Sequence, residues 1–149
     1  MKFEIPDGPG DIVDELGKAK IVREGKDVTV VALALMVPRA LEAADQLAAE
    51  GIDVEVIDVR SLVPLDTDCI LKSVAKTSRL YTVEENPRLC GWGAEIASIV
   101  AEEAFWDLDG PIERITTPHV PLPSAANLED ATIPSVERIV ETIRKTANA

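Results

Sequence analysis

Two hydrophobic periods alternate along this chain, and the switches between them mark out its elements. Residues 27–33 form a β-branched run of the kind that fills a central strand buried on both faces. Behind Pro38, a residue favoured in the first helical turn, Leu41, Ala44, Leu47 and Ala48 recur at helical spacing, and Gly51 is placed to end that helix. Residues 52–59 read as the next strand. Asp66 can cap a helix over residues 67–76, where Ile70, Leu71 and Val74 share one stripe. A third interior strand spans 80–83, a loop covers 84–92, and a helix over 93–106 turns Ile96, Ile99, Val100 and Phe105 inward. Residues 111–116 are the last strand. Pro118, Pro121 and Pro123 then force an extended excursion before a closing helix from about Ser135, striped by Val136, Ile139, Val140 and Ile143.

Strand and helix in alternation predict an α/β fold with a mostly parallel, helix-covered sheet and right-handed crossovers. Residues 19–23 fit a short edge strand. Ahead of it, Pro6, Gly8, Pro9, Gly10 and Gly17 break both periods, so residues 1–17 read as a linker or arm and 18–149 as one domain. In such sheets the loops that follow the strands gather along one edge, where ligands usually sit.

Composition narrows the function classes. Acidic residues outnumber basic ones 27 to 15, a formal charge of -12 that repels phosphate backbones, so nucleic acid is not expected as a partner. Most of that acid reads as a solvated surface; a basic protein partner is the sharper alternative. No apolar run approaches the length of a bilayer span, and the amino terminus lacks a secretory core, so a cytoplasmic chain without a membrane helix is expected. Cys69 and Cys90 lack the paired spacing of a zinc site and read as reduced thiols.

Candidate chemistry at the sheet edge is sparse. Gly91-Trp92-Gly93 ahead of a helix invites a dinucleotide reading, but Ile96 stands where the third glycine belongs, and Glu84, Glu85 and Glu95 oppose a pyrophosphate. Gly91 and Gly93 then read as permitting close approach of helix and strand. His119 is the sole histidine, without a metal or nucleophile partner in the sequence, and reads as a loop residue. Cys90 beside a helix start could gain acidity, which the nearby glutamates oppose. Asp58 and Arg60, two apart at a strand end, would share a face and pair, with Pro64 stiffening the loop and Asp66 capping the helix behind it.

Several motifs in order carry a resemblance. They are Gly17 through Gly25, Asp27-Val28-Thr29-Val30-Val31, the segment from Asp58 to Asp66, Val83-Glu84-Glu85-Asn86-Pro87-Arg88, Gly91-Trp92-Gly93-Ala94-Glu95-Ile96, and Leu128-Glu129-Asp130 with Ile133-Pro134-Ser135. Together they resemble the carboxyl-terminal, transketolase-like domain of the E1 β subunit of thiamine-diphosphate 2-oxo acid dehydrogenases, the pyruvate, branched-chain and acetoin group. The resemblance implies a three-layer α/β/α domain with five strands, the first antiparallel. It implies no catalytic, cofactor or metal residue in this chain: thiamine diphosphate and Mg belong to the parent enzyme, whose Gly-Asp-Gly motif is missing here. It also implies an assembly role, with the E1 α subunit, the amino-terminal half of E1 β and the peripheral subunit-binding domain of the E2 acyltransferase as partners. Asp109 and Glu113 fall where acidic E2 contacts occur. A homodimer is expected through residues 93–106 and 118–123. The alternatives are a stand-alone small-molecule binding module on the same sheet edge, and the carboxyl-terminal domain of a transketolase or deoxyxylulose-phosphate synthase.

Overall fold

A computed structural model describes residues 15–147. Most of the arm read from the sequence, residues 1–14, lies outside the described residues. The described chain runs β1 (Lys20–Arg23), β2 (Val28–Ala32), α1 (Met36–Ala48), β3 (Val54–Asp58), α2 (Thr67–Thr77), β4 (Leu80–Pro87), α3 (Trp92–Glu103), β5 (Glu113–Thr117), α4 (Ala126–Thr132) and α5 (Val136–Ala147). The five strands form one sheet in the order β1-β3-β2-β4-β5, parallel throughout except for the β1–β3 pair.

Both faces of the sheet are covered, by chemically different layers. Val28, Val30, Ala32, Val54 and Val56 point toward α1 and α5, where Ala40, Ala43, Ala44, Ile139 and Ile143 pack on them. The small alanines of α1 let that helix lie close to the strands. On the other face Val31, Ile57 and Leu80 meet Ile70 and Val74 of α2 and Ile96 and Val100 of α3.

Because successive strand residues face opposite ways, the partners of Val31, Ile57 and Leu80 on this second face are Thr29, Glu55, Thr82 and Glu84. All four are fully or almost fully buried. One layer of the core is thus apolar and the other carries a row of polar side chains.

The structure departs from the sequence reading in three places. Strand β4 continues through Glu84, Glu85 and Asn86 to Pro87, because β5 runs alongside and pairs with it past an irregularity in the register. Helix α3 stops at Glu103, and Phe105–Asp107 form a 3-10 turn that lifts Phe105 and Trp106 off the sheet, 56% and 92% exposed. Helix α4, not anticipated within the proline-rich excursion, has no buried residue and is held at its side by Asp130, which receives Arg39.

Candidate functional site

Crossover direction locates the first place to look. From β2 the chain leaves for α1 on one face; from the adjacent β4 it leaves for α3 on the other. Between their carboxyl ends lies the topological switch point, where α/β sheets characteristically bind ligands. Here it holds a crevice of about 250 Å³ lined by Leu33, Ala34, Leu62, Glu84, Glu85, Asn86 and Trp92.

The amino terminus of α3 opens at this crevice, but its anion site is already filled. Gly93 N–H donates to Glu84 Oε2 at 3.2 Å, so a carboxylate from the neighbouring strand takes the position a phosphate would occupy. Arg114 on β5 holds the other oxygen, Nη2 to Oε1 at 2.8 Å, and also donates to the Arg88 carbonyl. Arg88 returns a bond to the Arg114 carbonyl, which ties the loop after β4 to β5.

Gly91 and Gly93 exist for this carboxylate. A Cβ on Gly93 would lie 2.4 Å from Thr82 Oγ1 and 2.7 Å from Glu84 Oε1. The sequence reading had the glycines admitting a close approach; the structure shows what approaches. Thr82 Oγ1 is buried beside them without a hydrogen-bond partner.

The 58–66 segment holds the loop next door. Asp58 Oδ1 accepts the Arg60 backbone N–H at 3.1 Å. Arg60 itself is left-handed, φ +57°, just past the end of β3 at Asp58. Pro64, preceded by a cis peptide, packs on Gly17, where a Cβ would meet Pro64 Cγ at 2.5 Å. Asp66 caps α2 by accepting Cys69 N–H at 3.2 Å and uses its second oxygen for Ala19 N–H at 3.1 Å, which also anchors the approach to β1.

A second polar cluster was missed in the sequence. Glu55 is buried in β3, where Ser73 Oγ and Lys76 Nζ both donate to it and Gly25 N–H approaches at 3.4 Å. Burial pushes its carboxyl up, but the bonds from Lys76, Ser73 and Gly25 outweigh that and leave it below the usual range. Ser73 Oγ lies 2.6 Å from Thr29 Oγ1, which meets Thr77 Oγ1 at 2.7 Å. The signal was present: a charged residue within Val54-Glu55-Val56-Ile57, a strand buried on both faces, requires a partner.

The remaining candidates are dispersed. His119 and Cys90 are exposed, and Cys69 is half-buried, its thiol pushed up by burial and by Asp66. Asp109 and Glu113 lie at the opposite, amino-terminal edge of the sheet. There Arg79 pairs with Asp109 and donates to the Thr146 carbonyl at 2.6 Å, while Glu113 is half-buried opposite Tyr81. Among the described residues no cluster of histidine, cysteine or carboxylate side chains could hold a metal ion. No described helix is long and apolar enough to cross a membrane.

The family described as Transketolase, C-terminal domain, matches residues 17–139. The chain belongs to the transketolase C-terminal domain family. Within it, the chain is 48% identical over 143 residues to the pyruvate dehydrogenase E1 component subunit beta of Rickettsia felis, covering 96% of this chain and 43% of that protein. It is 50% identical over 141 residues to the beta subunit of acetoin:2,6-dichlorophenolindophenol oxidoreductase from Bacillus subtilis, covering 94% and 40%. Among solved structures, a split-gene transketolase described as an inactive beta4 tetramer matches with a TM-score of 0.77 and 34% identity, over 93% of this chain and 44% of that one. The chain therefore corresponds to the C-terminal-domain portion of pyruvate and acetoin dehydrogenase E1 β subunits and spans less than half the length of these relatives.

Proposed function

We propose that residues 18–149 are the assembly domain of an E1 β-type subunit, joined through residues 1–17, and carry no catalytic residue of their own. The parent enzyme would be a cytoplasmic, thiamine-diphosphate-dependent dehydrogenase of pyruvate or acetoin type; plant relatives bear the name mitochondrial. The observation that carries this reading is Glu84 at the amino terminus of α3. The position where this fold would receive a diphosphate holds a buried carboxylate matched to Arg114. The residues of the switch-point crevice thus do not fit thiamine diphosphate, and no step of its chemistry is assigned to them.

Assembly is the remaining task. The partners are the E1 α subunit, the amino-terminal half of E1 β, a second copy of the chain and the E2 peripheral subunit-binding domain. For E2, Asp109 and Glu113 offer negative charge at the amino-terminal edge, beside the outward-facing Phe105 and Trp106, whose rings stack edge to face at 5.1 Å. An aromatic anchor with a charged rim is the usual anatomy of a docking site.

Calorimetric titration of the purified chain with thiamine diphosphate and magnesium tests the non-catalytic reading. No saturable heat is expected. Stoichiometric binding at micromolar concentration, on the order of -8 kcal/mol, would overturn it and favour a small-molecule binding module.

A further inference from the structure

We infer that the carboxyl-terminal edge of the sheet is the face against which the amino-terminal portion of an E1 β-type subunit packs. This inference rests on the assembly reading and gives it a location.

Six large apolar side chains stand out of the loops that follow four consecutive strands of the sheet. They are Leu35 after β2, Leu62 and Val63 after β3, Leu89 after β4, and Val120 and Leu122 after β5, between 37% and 89% exposed. Scattered exposed leucines need no explanation, but a set gathered on one edge marks an interaction surface. These residues are not spill-over from the core, because both sheet faces are already covered by helices.

Backbone conformation supports the same edge independently. Of the four non-glycine residues at positive φ among the described residues, Ala34, Arg60 and Cys90 each lie in one of these loops, and only Ser78 lies elsewhere. Left-handed backbone is unfavourable for such residues and collects where the surroundings require a particular loop shape. Ala34 and Cys90 directly adjoin Leu35 and Leu89, and Arg60 precedes Leu62 by two positions. The strained turns set the direction of the exposed apolar groups.

Two carboxylates at this edge are held in ion pairs. The chain as a whole carries a formal charge of -12. At this edge, however, Glu84 is matched by Arg114 and Asp130 by Arg39, and Arg88 is bonded across to β5. With Glu84 and Asp130 paired, less bare charge has to be desolvated where these apolar side chains stand.

The route of the chain identifies the occupant. Glu15 and Leu16 line a crevice with Arg60 and Ser61, and Gly17 lies on Pro64, so the described fold begins beside Val63 on this edge. The relatives are more than twice as long as their match to this chain, and the matched family is a C-terminal domain. Polypeptide tethered on the amino side of Glu15 reaches this edge at high effective concentration. A second copy has no such tether.

The test is hydrogen–deuterium exchange on two proteins: the chain alone, and the Rickettsia felis E1 β subunit with its matching 143 residues replaced by this chain. In the chimera, amides of residues 60–64, 86–91 and 118–123 are expected to slow by about tenfold or more, a change typical of new burial. The Phe105–Asp107 turn should keep its rate. The variant Leu62→Glu, Val63→Glu, Leu89→Glu should lose that protection in the chimera and leave the stability of the isolated chain unchanged.

Should the chimera precipitate, the natural Rickettsia felis subunit replaces it, compared with its own isolated 143-residue portion. Loops at this edge exchanging equally fast in both proteins overturn the inference. If protection then appears at Phe105–Asp107 instead, the assembly reading stands without it; protection nowhere removes both. Loops already slow in the chain alone, with a dimeric sedimentation coefficient abolished by the triple variant, would assign the edge to a second copy and also overturn it.

Discussion

A Cβ on Gly91 would stand 2.4 Å from Glu84 Oε2, so the glycine and the glutamate compete for one position and only the glutamate fills it. The same holds two residues later at Gly93, where the added carbon would meet both Glu84 and Thr82. Gly93→Ala should therefore destabilise the fold by about 1–3 kcal/mol, the usual cost of overpacking a filled interior. Urea unfolding with an unchanged m-value and a lower midpoint is the expected record.

The Glu84–Arg114 pair predicts an asymmetry between single and double variants. Glu84→Ala leaves a guanidinium only 11% exposed without its counter-ion, a loss of about 3–5 kcal/mol. Replacing both residues, Glu84→Leu with Arg114→Met, removes the stranded charge and should recover much of that loss. Recovery should stay incomplete because Gly93 N–H then has no acceptor. A complete double-mutant cycle by chemical denaturation separates the two contributions.

Acid stability should track Glu55. Its folded carboxyl is held below the usual value, so the stabilisation it gives is fully present above its unfolded value of about 4.3 and is lost as pH falls through the lower, folded value. Lys76 has the opposite sign: raised by Glu55, its contribution is present below about 10.4 and is lost as alkaline pH passes its folded value. Glu55→Gln should flatten the acid limb of a plot of midpoint denaturant concentration against pH. An acid limb as steep as that of the parent chain would remove Glu55 from the explanation.

Docking of E2 gives the fourth expectation. A cognate peripheral subunit-binding domain should bind with strong salt dependence, because attraction between opposite charges is screened within about 10 Å at 0.1 M salt. Arg79 already engages Asp109, so its loss alone changes little, and single exposed charges contribute about 1 kcal/mol or less. Asp109→Lys with Glu113→Lys is the informative variant. Unchanged affinity, measured by titration on protein with a native circular dichroism spectrum, would return both residues to the solvated surface.

Strand and helix order was readable from the sequence because each period is enforced by burial: β2 and β3 are buried on both faces, and α5 carries one sharp stripe. Helix α4 was not readable, since none of its residues is buried and no apolar stripe announces it. The extension of β4 to Pro87 depends on β5 lying alongside, a relation between residues 30 positions apart. Phe105 was assigned to the core by its spacing, which holds only while the helix continues, and α3 ends at Glu103. At the candidate site, the glycines were visible as a local pattern. Their purpose was not, because it lies in a carboxylate arriving from the strand before them.

Thr29, Glu55, Ser73 and Thr77 form a chain of hydroxyl and carboxylate contacts between α2 and the middle of the sheet. Apolar side chains such as Ile70 and Val74 would tolerate displacement of that helix by one turn, since aliphatic contacts are non-directional. The polar chain would not: displacement by one turn, about 5.4 Å, carries Ser73 Oγ away from both the Glu55 carboxylate and Thr29 Oγ1. Four side chains that add little to the strength of packing thereby fix the alignment of α2, and with it the position of the 59–66 loop on which the exposed Leu62 and Val63 are mounted.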